Sequence, residues 1–264
     1  MDEPPLISAW QTMLSDRLGL NYADHSPVLK KAVRRLCRRF ALTSEAALEA
    51  LGQRDDSDPM WHCVRDEVVV SSSRFFRDPE MYTTIEHWLS TRDHSSPLMA
   101  MSFGAADGRE AYSLAMLLAK TGFMFQIIGV DLSPKAIADA NAAVYMTRDI
   151  DEIPISFRGR YTVAVDSDRF TIDKSLCAAV SFVSPDDQRL VHGARFDLIC
   201  CQNTLMYLTQ ERQMSNLQWF ENLLNPGGLL LLSPTDQPQW RGQCLQRYNN
   251  PRVRALQKPL EAAA

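Results

Sequence analysis

The spacing of apolar residues divides the chain into a helical part and a part where strands and helices alternate. Apolar residues recur every three or four positions from Leu6 to Leu18 and again over Pro27–Phe40. The first strand-like pattern is the short run Glu67–Val70. We therefore predict an N-terminal helical domain over residues 1–70.

From residue 97 onward, apolar runs of strand length alternate with amphipathic segments of helix length. The predicted strands are Leu98–Phe103, Phe125–Val130, Ala178–Val183, Phe196–Cys201 and Leu229–Ser233, with a weaker last strand over Val253–Leu256. Predicted helices cover Glu110–Lys120 and Ser133–Tyr145. Such alternation predicts a Rossmann-like α/β domain over residues 97–264, a mostly parallel sheet with helices on both faces, joined to the helical domain by residues 71–96.

The alternation breaks between Asp149 and Asp173. The segments Tyr161–Val165 and Arg169–Ile172 each alternate in polarity around an Asp-Ser-Asp turn, as a small hairpin does. We expect a small β insertion around residues 150–175 on the α/β frame.

Composition and charge narrow the function class. The 264 residues are 45% hydrophobic and 23% charged, as in ordinary soluble proteins, and the net charge of −4 argues against general nucleic-acid binding. No apolar run reaches the length of a membrane span, and the acidic, proline-containing start is unlike a signal peptide, so we expect a cytoplasmic protein without membrane insertion. The six cysteines and five histidines are scattered, and no metal site is expected.

A stripe of basic residues stands out in this acidic chain. Its members are Lys30, Lys31, Arg34, Arg35, Arg38 and Arg39. On a helix over Pro27–Phe40 they form one cationic face beside an apolar one. The face is either a docking surface for an acidic partner or a solvated helix surface.

A Gly/Ala turn, Gly104–Gly108, joins the first predicted strand of the α/β domain to its helix. Such a turn lets a ligand approach the backbone closely. Asp131 follows the second strand, where an acid suits a ribose diol, which both NAD and S-adenosylmethionine possess. An acid within the turn repels a pyrophosphate, whereas Asp107 and Glu110 suit the ammonium and sulfonium groups of S-adenosylmethionine.

Several longer segments carry a specific resemblance. They are SRFFRD (Ser73–Asp78), GREAYSLAM (Gly108–Met116), GVDLSPKAIADA (Gly129–Ala140), RFDLICCQNTLMYL (Arg195–Leu208) and LLNPGGLLLLS (Leu223–Ser233). Their order and spacing resemble the CheR-type chemoreceptor glutamate O-methyltransferases, and the resemblance covers nearly the whole chain. It implies S-adenosylmethionine as cofactor and the cytoplasmic domain of a chemoreceptor, in a chemotaxis or pilus chemosensory pathway, as the substrate met by Lys30, Arg34, Arg35 and Arg38.

The resemblance also implies the site residues. The implied cofactor contacts are Ser71, Ser73, Arg77, Gly104, Glu110, Asp131, Asp186, Gln202 and Asn203, and the implied catalytic residues are Arg77 and Tyr207. Residues 71–96 are thereby expected to contribute to the cofactor site.

The chain departs from the family pattern at several of these positions. Arg109 replaces a glutamate and is expected to add a cation near the cofactor turn, while Gln202 replaces an arginine and removes one from the presumed active site. Ser233–Asp236 replaces the usual Gly-His-Ser-Glu. These departures keep open a regulatory module on the same fold that binds S-adenosylmethionine or a receptor without turnover. A dinucleotide-dependent oxidoreductase is a third hypothesis, disfavoured by the turn.

Overall fold

Four helices form the N-terminal part of the chain. The computed structural model describes residues 6–23, 26–70, 73–93, 96–187, 193–234, 236, 244–248 and 253–260. The helices are α1 (Ile7–Leu18), α2 (Pro27–Phe40), α3 (Ser44–Gly52) and α4 (Pro59–Val68). Helix α4 continues through Val68, so the strand pattern noted at Glu67–Val70 is wrong, because the apolar side chains of this turn pack into a helical core.

The described residues that follow form ten strands, six further α-helices and two short 3₁₀ helices, Thr147–Glu152 and Leu205–Tyr207. The strands are β1 (Leu98–Phe103), β2 (Phe125–Val130), β3 (Val144–Met146), β4 (Thr162–Ala164), β5 (Arg169–Ile172), β6 (Val180–Val183), β7 (Phe196–Cys201), β8 (Leu224–Leu232), β9 (Gln246–Arg247) and β10 (Arg254–Gln257). The helices are α5 (Pro79–Leu89), α6 (Arg109–Thr121), α7 (Pro134–Ala142), α8 (Ile155–Tyr161), α9 (Lys174–Cys177) and α10 (Gln210–Leu223). None of the described helices is long and apolar enough to cross a bilayer.

The main sheet has the order β6-β2-β1-β7-β8-β10-β9. Its first five strands are parallel, and β10 and β9 add antiparallel pairs at one edge. The order reverses between β1 and β7, which opens a crevice at the carboxyl ends of these strands. The predicted Rossmann-like fold with an N-terminal helical part is confirmed.

A small antiparallel sheet of order β3-β5-β4 forms the insertion. Its β4–β5 hairpin matches the predicted one. The third strand was not predicted: the helix expected through Tyr145 ends at Ala142, Ala143 takes a left-handed conformation, and Tyr145 pairs with Phe170 instead. Strand β8 likewise begins at Leu224, before the predicted start at Leu229, and has a bulge opposite β7 between Phe196 and Leu198.

The helical domain shares a core with one face of the main sheet. Successive residues of a strand point to opposite faces, and Met101 of β1 and Ile199 of β7 pack with Trp10 and Leu14 of α1 and Trp61 of α4 in one cluster. The other face packs against α5, α6 and the insertion. Because both faces of the central strands are covered, the strands read as continuous apolar runs.

A polar link also joins α4 to α7. Asp66 Oδ1 accepts hydrogen bonds from Ser133 Oγ (2.7 Å) and from the backbone N–H of Lys135 (3.0 Å) at the start of α7. It therefore satisfies one of the donors that a helix N-terminus leaves without an intrahelical partner.

We expect Asp66→Ala to lower the free energy of unfolding by about 1–2 kcal/mol, because it removes this cap and its partners. Urea unfolding followed by circular dichroism measures the change. Asp168→Ala, in the exposed β4–β5 turn, is the control and should change stability by less than about 0.5 kcal/mol. Equal losses in both variants would show that Asp66 is not a specific link.

Candidate active site

One cavity of about 410 Å³ lies at the carboxyl ends of β1, β2 and β7, in the size range of small-molecule sites. Nine of the ten predicted site residues line it: Ser73, Arg77, Gly104, Glu110, Asp131, Asp186, Gln202, Asn203 and Tyr207. The tenth, Ser71, lies outside the described residues. The structure thus brings together side chains that are more than 130 positions apart in sequence.

The turn after β1 is shaped by left-handed backbone. Gly104 has φ +80°, and a Cβ there would lie 2.0 Å from Thr204 Oγ1, so only glycine fits. Ala106 is also left-handed, at φ 48°. Its N–H donates to Asp131 Oδ2 (2.8 Å), and this bond pins the strained residue.

Asp131 therefore fixes the turn as well as facing the cavity. Its Oδ1 accepts from the N–H of Ser133 (2.9 Å), so the carboxylate ties the turn after β1 to the start of α7. Burial raises the pKa of Asp131, while the hydrogen bonds from Ser133 and Ala106 lower it. Each oxygen keeps a lone pair for a ligand hydroxyl.

Glu110 is the most perturbed of the cavity carboxyls. Burial raises the pKa of Glu110 from 4.5 to about 7, partly offset by a hydrogen bond from Ser102 and by the charge of Arg77. The Ser102 Oγ donates to Glu110 Oε1 at 2.7 Å. A cation bound in the cavity stabilises the ionised form of this group.

Arg109 points away from the cavity, contrary to the expectation that it adds a cation there. Its guanidinium contacts Asp107 (2.8 Å), Asp149 (2.8 Å) and Glu152 (3.4 Å) and lies over the rings of Phe75 and Tyr145. Asp107 is thus an ion-pair partner of Arg109 and does not line the cavity, which corrects its expected role beside the cofactor. The network joins the cofactor turn to the insertion.

The Phe-Phe pair of SRFFRD is the anchor that aims Arg77 at the cavity. Phe75 is buried and meets Tyr145 edge-on at 4.8 Å, while Phe76 stacks on Phe157 at 5.2 Å. The N–H of Phe75 donates to Glu152 and that of Phe76 to Ser113. The segment is therefore held by both its rings and its backbone.

The loop after β7 carries Gln202, Asn203 and Tyr207. Asn203 is left-handed (φ 53°), and its Nδ2 donates to Ser233 Oγ at 3.0 Å. Buried Asp236 accepts from the N–H of Met206 at 2.9 Å. Burial raises the pKa of Asp236, and hydrogen bonds from Met206 and other backbone groups of this loop lower it.

The helical domain supplies part of the cavity wall, which sequence reasoning missed. The N–H of Asn21 donates to Tyr207 O (2.8 Å), and that of Thr209 donates to Gly19 O (2.8 Å). These bonds bring Tyr22 beside Tyr207, and burial together with that neighbour raises the pKa of Tyr22 to about 12. No local motif marks these contacts, because they depend on how two domains pack.

A comparison with known protein families identifies the family of this chain. Residues 71–243 match the model of the CheR methyltransferase, SAM binding domain, which is well over half of the chain. The chain belongs to the CheR methyltransferase family. The cofactor is therefore S-adenosylmethionine, and the dinucleotide alternative is excluded.

Relatives with curated names agree with the family. The chain is 27% identical over 235 residues to the probable biofilm formation methyltransferase WspC of Pseudomonas putida, covering 84% of this chain and 54% of WspC. It is 28% identical over 176 residues to the chemotaxis protein methyltransferase of Listeria monocytogenes, covering 64% of this chain and 66% of that protein. The chain thus spans about half the length of WspC.

The chain is also similar to a solved structure, that of an RNA methyltransferase from Salinibacter ruber in complex with S-adenosyl-L-homocysteine. Its TM-score is 0.38 at 12% identity, over 70% of this chain and 94% of that chain.

The residues of the CheR cavity fit S-adenosylmethionine. Glu110, Asp131 and Asp186 line the cavity, and their carboxyl groups suit a ligand that carries cationic groups and a ribose diol. Within the part of the chain that the structure describes, the buried Nε2 of Gln202 has no hydrogen-bond partner, so the cavity wall also offers a donor for a ligand acceptor. Apolar Leu132 and Phe103 complete the walls.

We expect S-adenosylmethionine to bind about tenfold more weakly at pH 6 than at pH 8, since Glu110 with a pKa of about 7 loses its charge as the pH falls. Calorimetric titration across this range measures the change. Glu110→Gln should bind S-adenosylmethionine weakly and with little pH dependence.

The stability of the ligand-free protein depends on pH in the opposite direction, because an acid whose pKa is raised by folding lowers the free energy of unfolding as the pH rises above about 4.5. Glu110→Gln should therefore unfold at a higher temperature than wild type at pH 8. A wild-type affinity for S-adenosylmethionine that is the same at pH 6 and pH 8 would contradict this role of Glu110.

Proposed function

We propose that this protein transfers a methyl group from S-adenosylmethionine to glutamate side chains of a chemoreceptor's cytoplasmic domain, in the cytoplasm. The proposal rests on the observation that groups of opposite charge line one cavity. The carboxyl groups of Glu110 and Asp131 line it, and so do Arg77 and Tyr207. The carboxylates suit a cationic cofactor, and the arginine suits an anionic acceptor.

Arg77 and Tyr207 are the proposed catalytic residues. A glutamate side chain is already ionised at neutral pH, so the reaction needs no general base. When bound, S-adenosylmethionine supplies a methyl group activated by the positive sulfur. Arg77 and Tyr207 then hold and orient the acceptor carboxylate, while the packed helical domain excludes water around it.

Ser73, Gly104, Glu110, Asp131, Asp186, Gln202 and Asn203 are the proposed cofactor contacts among the described residues. The raised pKa of Glu110 makes it the natural partner of the ligand's ammonium group, since a bound cation restores the charge that burial disfavours. Asp131 is proposed to accept from the ribose hydroxyls with its remaining lone pairs.

The basic face of α2 is the proposed docking surface for the receptor. Leu29, Val33 and Leu36 are buried, and the basic residues lie on the other side of the helix. Arg35 contacts Glu67 of α4 at 3.3 Å, and the next residue of α4, Val68, lines the cavity. The cationic face thus adjoins the site where an acidic receptor helix would present its glutamate.

We expect Arg77→Ala to lower kcat for methylation of a purified receptor cytoplasmic fragment by roughly 100-fold, because it removes a charged donor from the acceptor carboxylate. Transfer of a labelled methyl group, released again by mild base as expected of an ester, measures the activity. Arg160→Ala, an exposed arginine on α8, is the matched control and should keep activity within about twofold.

Two results would contradict the methyltransferase proposal. Tight binding of S-adenosylmethionine without base-labile label on any receptor fragment would favour a regulatory module. Label that is stable to base would indicate a different acceptor group.

We expect combined Ala substitution of Arg34, Arg35 and Arg38 to raise KM for the receptor fragment about tenfold and to weaken its salt dependence, with kcat and cofactor affinity unchanged. A control that removes three exposed cations elsewhere, at Lys120, Lys174 and Arg195, should leave KM unchanged. Loss of cofactor binding in the α2 variant would refute this division of roles.

A further inference from the structure

The helical domain contributes a buried arginine to the cavity wall, and the proposed reaction assigns this residue no role. Arg65 of α4 is only 8% exposed, it lines the cavity, and its Nε has no hydrogen-bond partner among the described residues. Burying a charged donor without a partner is costly, so such a group marks a place where an anion binds. Arg17, by comparison, lines the same cavity but is bound to Asp56 and lies over the ring of Trp61.

The position of Arg65 relates it to the Tyr207 side of the cavity. The hydroxyl of Tyr22 donates to Val68 O, in the helical turn after Arg65, and the N–H of Val69 donates to Arg65 O. Tyr22 in turn lies beside Tyr207, since Asn21 is hydrogen-bonded to the backbone of Tyr207. Arg65 therefore lies in the part of the helical wall next to Tyr22, which neighbours Tyr207 in the same cavity.

We propose that the guanidinium of Arg65 binds the side-chain carboxylate of the acceptor glutamate, as a second cation beside Arg77. This inference rests on the proposed methyl transfer and deepens it: the helical domain takes part in acceptor recognition inside the cavity, as well as through α2. An arginine offers a fork of N–H donors that matches both oxygens of a carboxylate, while a glutamine side chain offers only one acceptor oxygen. The subsite consequently selects glutamate over glutamine.

The test compares two acceptor mimics that differ in charge, N-acetylglutamate N-methylamide and N-acetylglutamine N-methylamide. Their binding to the intact 264-residue chain, saturated with S-adenosylhomocysteine, is measured by ligand-observed NMR. Wild type should prefer the glutamate mimic by about tenfold or more, as a charge-assisted hydrogen bond provides. Arg65→Gln should reduce the preference at least severalfold, to the part that Arg77 alone provides, and Lys174→Gln, which removes an exposed cation on α9, should keep the full preference.

Two further measurements separate this role from others. Calorimetry with S-adenosylhomocysteine should give Arg65→Gln a Kd within about twofold of wild type; a much weaker Kd would assign the guanidinium to the carboxylate of the cofactor and overturn the proposal. Thermal unfolding of the ligand-free protein should give Arg65→Gln a Tm no lower than wild type, because an unpartnered buried charge is removed. A drop of several degrees would instead show a structural role and overturn the proposal.

A failure of the proposed role of Arg65 can be distinguished from a failure of the proposed methyl transfer. If wild type discriminates between the mimics but labels no receptor fragment, the carboxylate subsite stands and the methyltransferase proposal fails. If wild type methylates the fragment but Arg65→Gln keeps the full preference for the glutamate mimic, the reaction stands and the role of Arg65 is overturned.

Discussion

Two backbone hydrogen bonds hold the site together, because they fasten the helical domain to the loop that carries Tyr207. They join Asn21 to Tyr207 and Thr209 to Gly19, and Leu20 pairs with Leu208 between them. A hydrogen-bonded bridge of this kind fixes distance and direction in a way that apolar packing alone does not. The cavity is closed on that side by residues of a domain that contains none of the cofactor motifs.

The ionisation of the groups around the cavity depends on their burial as much as on their residue type. Glu110 and Asp131 carry carboxyl groups whose pKa values are raised by burial, so each is poised to gain from a cationic ligand. Arg65 carries the opposite charge and is also buried, at 8% exposure. Because burial raises the pKa values of the two carboxyl groups, ionising them in the empty pocket costs free energy, and a bound cation recovers it.

Arg109, which follows the turn after β1, stabilises the packing of that turn against the insertion. Arg109 neutralises three acidic side chains, those of Asp107, Asp149 and Glu152, and lies over two aromatic rings. Glu152 also accepts from the N–H of Phe75, so the same network reaches the segment that positions Arg77. Arg109, which replaces a glutamate of the family pattern, does not line the cavity, since its charge is directed into the insertion.

The fold class and the close turn at Gly104 follow from local patterns of apolar and small residues, whereas the nine predicted residues that line the cavity were implied by the resemblance of longer segments to the CheR-type family. Apolar runs predicted strands such as Phe196–Cys201 to the residue, and the small residues around Gly104 predicted a close turn. Strand β3 was missed, since three residues after a helix carry too little pattern to reveal a pairing made with β5. Only the tertiary structure decided which way Arg109 points and that Tyr22 and Arg65 reach the site. Those outcomes follow from the packing of distant segments, and side-chain direction in such packing is not encoded in the spacing of neighbouring residues.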